Sequence, residues 1–335
     1  TLVLLNGIKL NDPQTGHHNL NLPISPELID RIEITTGGAS RIYGNYAYCG
    51  VINIITKDKI ENSVILSTGQ NNFNHAELNF NISKNNVDQI FHLSNKNSDG
   101  YILGTDYKLY NFYYQAKSNI NDVSSTLNVG INKKDFGAYN FYSTKYPNQF
   151  EKTKTTFASL NLNKSGRLSF NNNIYWRMHD DEFILFRENP ELYQNFHKTN
   201  VIGLDFNIIK KTKLGTSLFG AEIVSNSIIS NNLGNDLETP ILIDNDNYFT
   251  KSDNRIVTNF FIEKNLSFSR LNISTGLMLN INPNFNNELF PGLDVSYKIN
   301  DDINFYISIN KSMRTPNFTE LYYTSPTNEG NTNLK

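Results

Sequence analysis

Few side chains in this sequence have the spacing that covalent chemistry needs. The six histidines, His17, His18, His75, His92, His179 and His197, form no nucleophile–base–acid pattern, and no glycine-rich phosphate loop is present. Catalysis is therefore not expected, and binding is. The stretch "NDPQTGHHNLNLP" (11–23) concentrates donors and acceptors at Gln14, Thr15, His17, His18 and Asn19. It reads either as a ligand-contacting loop or as a Pro/Gly-organised turn whose side chains cap one another. Adjacent histidines seldom point at one ion, which argues against a metal held by that pair. Two acidic tracts carry oxygen ligands of the kind Ca2+ takes: Asp180, Asp181 and Glu182 in "HDDE", and Asp244, Asp246 and Asp253 in "IDNDNYFTKSDN". Solvated loop carboxylates are the plain alternative, and no other cofactor is called for. Cys49 stands alone, so no disulfide forms within the chain, and a buried, inert thiol is expected.

Composition narrows the partners. The 335 residues are 19% charged with a net charge of −2, which disfavours nucleic acid. No run approaches the ~18 uncharged apolar residues of a membrane helix. That leaves open a transmembrane β-barrel, whose apolar residues occupy alternate positions and whose average hydropathy looks soluble.

The elements that must position these residues announce themselves by period. In "FNHAELNFNISK" (73–84), Ala76, Leu78, Phe80 and Ile82 alternate with Glu77, Asn79, Asn81 and Ser83. The pattern returns in "YKLYNFYYQAKS", "STLNVGINK", "RLNISTGLMLN" and "DINFYISIN". About thirteen such segments of roughly ten residues occur, close to the ~9 to 11 of a tilted membrane strand. Links near 84–87, 119–122, 163–166, 210–213, 264–267 and 300–302 are short and polar. Those between them are often long, including the tracts 179–196 and 226–254. Short turns on one rim and long loops on the other are the habit of outer-membrane barrels, whereas a soluble sandwich predicts no such alternation. The apolar members Leu78, Phe80, Ile82, Leu204, Phe206, Leu271, Ile273, Leu277, Phe305 and Ile307 are expected to face lipid. Glu77, Asn79, Asp205, Asn272 and Asn304 are expected to face the interior.

Three early segments, "TLVLLNGIKLND", "LPISPELIDRIEI" and "GGASRIYGNYAYCGVINIITK", together with "KSMRTPNFTELYY" and "NEGNTNLK" far downstream, resemble the TonB-dependent outer-membrane transporters. The early segments resemble the second half of that family's plug domain, and the later ones its barrel. The resemblance implies a small α/β plug over residues 1–57 and barrel strands over 58–335, from a complete barrel of roughly 22 strands. It implies a Gram-negative outer membrane, with its lipid and lipopolysaccharide, and TonB with its inner-membrane motor as the partner that does work on the plug. The loop at 11–23 would face an external ligand chamber. There Tyr139, Phe141, Tyr142, Tyr146 and Tyr248 would pack on a bulky ligand, unless they form an interfacial girdle. The favoured ligand is a corrinoid such as cobalamin; a ferric siderophore or haem is the alternative, and a passive porin or surface adhesin would be the reading from another class. Thr36, Gly37 and Gly38 stand where the family pattern has Arg-Gly-Pro, leaving Arg31, Glu33 and Arg41 as candidates for plug-to-barrel pairing.

Overall fold

The computed structural model describes residues 1–335 apart from positions 245, 326, 327 and 335, so the last residue of "NTNLK" lies outside the described residues. Two sheets carry the architecture. The first contains β1 (Leu2–Leu5), β2 (Ile8–Lys9), β3 (Ile29–Thr36) and β4 (Gly50–Thr56), with the short helix α1 (Ser40–Tyr43) before β4. Its order is β2-β1-β4-β3, with β1 and β4 parallel. A strand covered on both faces needs an unbroken apolar run, and "LVLL" is one. Leu2 and Leu4 pack with Ala39, Ala47 and Val51, while Val3 and Leu5 pack toward Ile90, Tyr113, Phe157, Tyr175 and Val201 of the second sheet.

The second sheet contains fourteen strands. They are β5 (Ser63–Gly69), β6 (Phe73–Lys84), β7 (Val87–Ser98), β8 (Tyr107–Ile120), β9 (Val123–Gly137), β10 (Phe150–Lys164), β11 (Leu168–Ile184), β12 (Gln194–Thr212), β13 (Gly215–Ser230), β14 (Asn235–Asp244), β15 (Asn247–Ser267), β16 (Leu271–Ile281), β17 (Glu288–Lys298) and β18 (Asn304–Asn310). Each of thirteen pairs antiparallel with its neighbour in chain order, β13 joining β15 directly. β14 pairs only with β15, chiefly its first residues, and forms a protruding hairpin. The tract at 226–254 is thus mostly strand and not the long loop its Asn and Asp content suggests. Two-residue turns with left-handed asparagines, such as Asn85 and Asn86, close one rim. On the other rim, links such as 138–149 and 185–193 are longer. The tract expected as a link at 179–196 divides differently, because β11 runs on to Ile184 and carries the acidic triplet within it.

Alternation puts polar residues inside and apolar ones outside. On β6, Glu77 and Asn79 are buried while Phe80 and Ile82 are exposed. Ile174, Leu204 and Ile223 sit in register across β11, β12 and β13, all half-exposed and outward. A continuous apolar belt of this size is costly in water and suits lipid. No helix among the described residues is long and apolar enough to cross a membrane.

Candidate functional site

The small sheet is fastened to the large one at two seams, one toward each rim. At the long-loop seam, residues 12–21 meet the inward faces of β9, β11 and β12. Asp12 Oδ2 lies 2.5 Å from Arg177 Nη1, with both side chains buried, and accepts from Thr199 Oγ1 at 3.1 Å. Its Oδ1 accepts from the Gln14 backbone N–H at 2.8 Å. Burial pushes the Asp12 pKa up, but the charge and hydrogen bond of Arg177 outweigh it and hold the value at about 2. Gln14 Nε2 donates to Asp181 Oδ2 at 2.8 Å, and His18 Nε2 lies 3.3 Å from the same oxygen. Burial lowers the His18 pKa, and the hydrogen bond to Asp181 overcomes this and leaves it raised. The "PNFTELY" segment joins the seam from above: the backbone N–H groups of Phe318 and Thr319, at the start of helix α2 (Phe318–Tyr322), donate to the carbonyls of Pro13 and Gln14. Such orphan N–H groups at a helix start require acceptors, and the plug loop supplies them.

The short-turn seam is built on Arg41. Its Nε and Nη2 donate to the two carboxylate oxygens of Glu263 at 3.0 and 3.1 Å, and Nη2 also donates to Asp294 at 2.5 Å. Asn310 and Ser274 accept further bonds. Two glycines make the room: a Cβ at Gly276 would collide with Glu263 Oε2, and one at Gly292 with Arg41 Cδ. Arg31 and Glu33, expected to reach the barrel, meet no barrel residue among those described. They lie on β3, the exposed outer strand of the small sheet, where Arg31 pairs with Glu33 and Asp30 of its own strand.

Of the residues expected to hold a ligand, five come together. His17, His18, Tyr139, Phe141 and Tyr142 line a 270 Å3 pocket open toward the long-loop rim, with Glu151 in its wall. His17 is exposed and meets Phe141 and Tyr142 edge-on, with centroids 5.7 and 5.9 Å away. Tyr142 Oη donates to Glu151 Oε2 at 2.5 Å. The others are placed elsewhere. Gln14 is buried against Asp181. Thr15 caps the 3-10 turn Gly16–Leu20 by accepting from the His17 N–H, and Asn19 accepts from the Asp12 N–H. Tyr146 meets Phe186 of the neighbouring loop edge-on, and Tyr248 lies on the β14–β15 hairpin opposite Leu242.

Neither acidic tract converges on a calcium ion. Strand alternation sends Asp181 inward while Asp180 and Glu182 turn outward to Lys198 and Lys152. Asp244 accepts from Asn247 at the hairpin tip, whereas Asp253 accepts from Tyr322 six residues along β15 from Asn247, roughly 20 Å away at a strand's rise. Asp246, beside that tip, is separated from Asp253 in the same way. Cys49 is exposed, not buried, because it lies just ahead of β4 in the turn after α1. Arg177, His179, Glu151 and Glu263 escaped the sequence reading. The signal that could have found them is a charge at an inward position of a strand whose outward positions are apolar.

Three solved structures match the chain along nearly all of its own length, while the chain spans 61% or less of theirs. The siderophore receptor PirA of Pseudomonas aeruginosa is 15% identical, with 99% of this chain and 61% of that chain covered at a TM-score of 0.75. The ferric citrate transporter FecA is 14% identical, covering 95% and 55% at 0.72. The iron transporter FrpB of Neisseria meningitidis is 13% identical, covering 95% and 56% at 0.75. A search of curated proteins finds no match. Residues 1–51 match the model described as the TonB-dependent receptor plug domain, and residues 39–335 match that of the TonB-dependent receptor-like β-barrel. A plug sheet bolted through buried charges to the inner face of a lipid-facing barrel wall, with both family models matched, places this chain in the TonB-dependent receptor family of the Gram-negative outer membrane.

Proposed function

We propose that this chain belongs to a receptor that binds a bulky ferric siderophore at the outer face and passes it to the periplasm when TonB does work on the plug. The observation that carries the reading is the pair of buried, charged seams. A plug held by ion pairs on both sides closes the lumen to passive flow, and breaking one buried pair costs about 3 to 5 kcal/mol, so opening requires external work. The inner-membrane proton gradient, delivered through TonB, is a source of that size.

The pocket favours the siderophore over the corrinoid. The corrinoid reading leaned on the polar side chains of residues 11–23. Gln14 and Asn19 are engaged within the protein, and the surface left toward the chamber is aromatic, at His17, Tyr139 and Phe141. Aromatic walls suit aryl chelates, and the neighbours include receptors named for siderophores and ferric citrate. The test is binding of a panel of ferric siderophores, haem and cobalamin to the full-length receptor, with and without calcium, alongside TonB-dependent uptake in cells. Siderophore binding weakened several-fold by joint replacement of His17 and Phe141 with Ala is expected. Tight cobalamin or haem binding would replace the substrate, and uptake independent of TonB would overturn the transport reading in favour of a porin.

A further inference from the structure

The floor of the aromatic pocket holds a cluster that the transport reading does not use. We propose that His18, Glu151 and Asp181 form a binding site for a divalent transition-metal ion, bridging plug and barrel wall. One ligand atom from each lies within 4.8 Å of the other two, and all three residues are buried. Tetrahedral ligands at about 2.0–2.2 Å from a common ion lie about 3.3 to 3.6 Å apart, so side-chain shifts of roughly 1 Å close the site.

The three groups come from separate elements that the fold brings to one point. His18 sits on the 3-10 turn of the plug loop, Glu151 on β10 and Asp181 on β11. Asp181 is opposite Thr153 in the register, which places Glu151 diagonally beside it on the same inward face.

Charge balance supplies the driving force. Glu151 and Asp181 are two buried carboxylates side by side, and like charges so placed are costly. Of the neighbouring cations, Arg177 is paired with Asp12, protonated His18 faces Asp181, and the Lys134 ammonium donates to Asn21 Oδ1 at 2.8 Å, so Glu151 is bonded by the neutral Tyr142 hydroxyl and not by a cation. Asp181 Oδ1, in a side chain more than nine-tenths buried, has no hydrogen-bond partner among the described residues. A divalent cation satisfies that oxygen and offsets both carboxylates. Neutral His18 can ligate through Nε2 with its proton on Nδ1, provided the Asn21 amide, whose Nδ2 lies 3.2 Å from Nδ1, turns its oxygen from Lys134 to that N–H.

The donor set selects the ion. One imidazole with two carboxylates suits zinc, nickel or cobalt better than calcium, which prefers oxygen alone. His18 and Glu151 also line the 270 Å3 pocket, so the ion has a path from the long-loop rim. The site stands apart from the identity of the large ligand, and a test with bare metal leaves that question untouched.

Replacing His18 or Asp181 removes plug contacts as well as ligands, so Glu151→Gln, which keeps shape and a partner for Tyr142, is the decisive variant. The full-length receptor, stripped of metal, is titrated with ZnCl2 by calorimetry, and its Co2+ complex is followed by visible absorption. One equivalent of Zn2+ is expected, with affinity falling about a hundredfold or more in Glu151→Gln and staying within about twofold in His75→Ala, a histidine outside the cluster. The Co2+ band should vanish in Glu151→Gln and persist in His75→Ala. Absence of stoichiometric Zn2+ binding, or binding and a Co2+ band that survive Glu151→Gln, would overturn the site and leave a proton-linked carboxylate–imidazole cluster in its place.

Discussion

The two seams hold the same plug to the same wall by different chemistry. At the short-turn rim one arginine meets two carboxylates, Glu263 buried and Asp294 partly exposed, in a notch cut by Gly276 and Gly292. At the long-loop rim an aspartate–arginine pair is surrounded by His18, His179 and His197, close to a pocket. A guanidinium keeps its charge at any physiological pH, so the first seam is a fixed bolt. Imidazoles exchange protons near neutral pH, so the second seam is the one whose charge can change.

The comparison breaks most readily at Arg41. Arg41→Met strands Glu263 with its side chain 1% exposed, and should cost about 4 kcal/mol of plug docking, read as a lower denaturant midpoint for protease access to the plug. Adding Glu263→Gln should recover much of that loss. If Arg41→Met leaves the midpoint unchanged, the short-turn seam is no bolt. Asp12→Asn comes next. It leaves the buried Arg177 guanidinium without its carboxylate, facing only neutral acceptors such as the amide oxygen and the His18 carbonyl at 3.4 Å, and an expected loss of about 3 kcal/mol should appear in the same assay.

A smaller effect separates the seams by pH, in EDTA to exclude metal. The His18 pKa is raised above 6.5 in the folded protein, so its contribution is complete below about 6.5 and fades as pH rises through the folded value. Asp12 works in the opposite sense: held at about 2 against 3.8, its contribution is complete above about 3.8 and lost as pH falls toward 2. Amide exchange of residues 12–21, taken relative to its intrinsic base-catalysed rate at each pH, should therefore quicken between pH 6 and pH 9 while that around Arg41 does not. His18→Gln should abolish the difference, and equal quickening at both seams would remove the distinction. The least effect belongs to Cys49, exposed and engaged in neither seam. Cys49→Ser should change stability by less than about 0.5 kcal/mol, and the wild-type thiol should react with maleimide without unfolding.

Much of the fold is legible in the sequence. Strand period marks the barrel, because a wall between lipid and a polar interior must alternate, and the outward sets on β6, β12 and β16 alternate as read. The run "LVLL" likewise marks a strand covered on both faces. Site residues are less legible. His17 and His18 are adjacent and chemically identical, yet a 3-10 turn aims one at the aromatic pocket and the other at Asp181. Asp180, Asp181 and Glu182 read as one acidic cluster until the strand splits them between two faces.

Local pattern, then, determined most of the wall strands and which of their faces meet lipid, since those depend on neighbours two residues away, but it missed the strand in 226–254 and the end of β11. Tertiary structure alone decided the partners. Gln14 meets Asp181 across 167 positions and Arg41 meets Glu263 across 222, while Arg31, ten residues earlier, pairs within its own strand among the described residues. A charged side chain looks the same in sequence whether it will be solvated or buried. Its role is set by the electrostatic cost of burial and by which opposite charge the fold brings within reach to offset it.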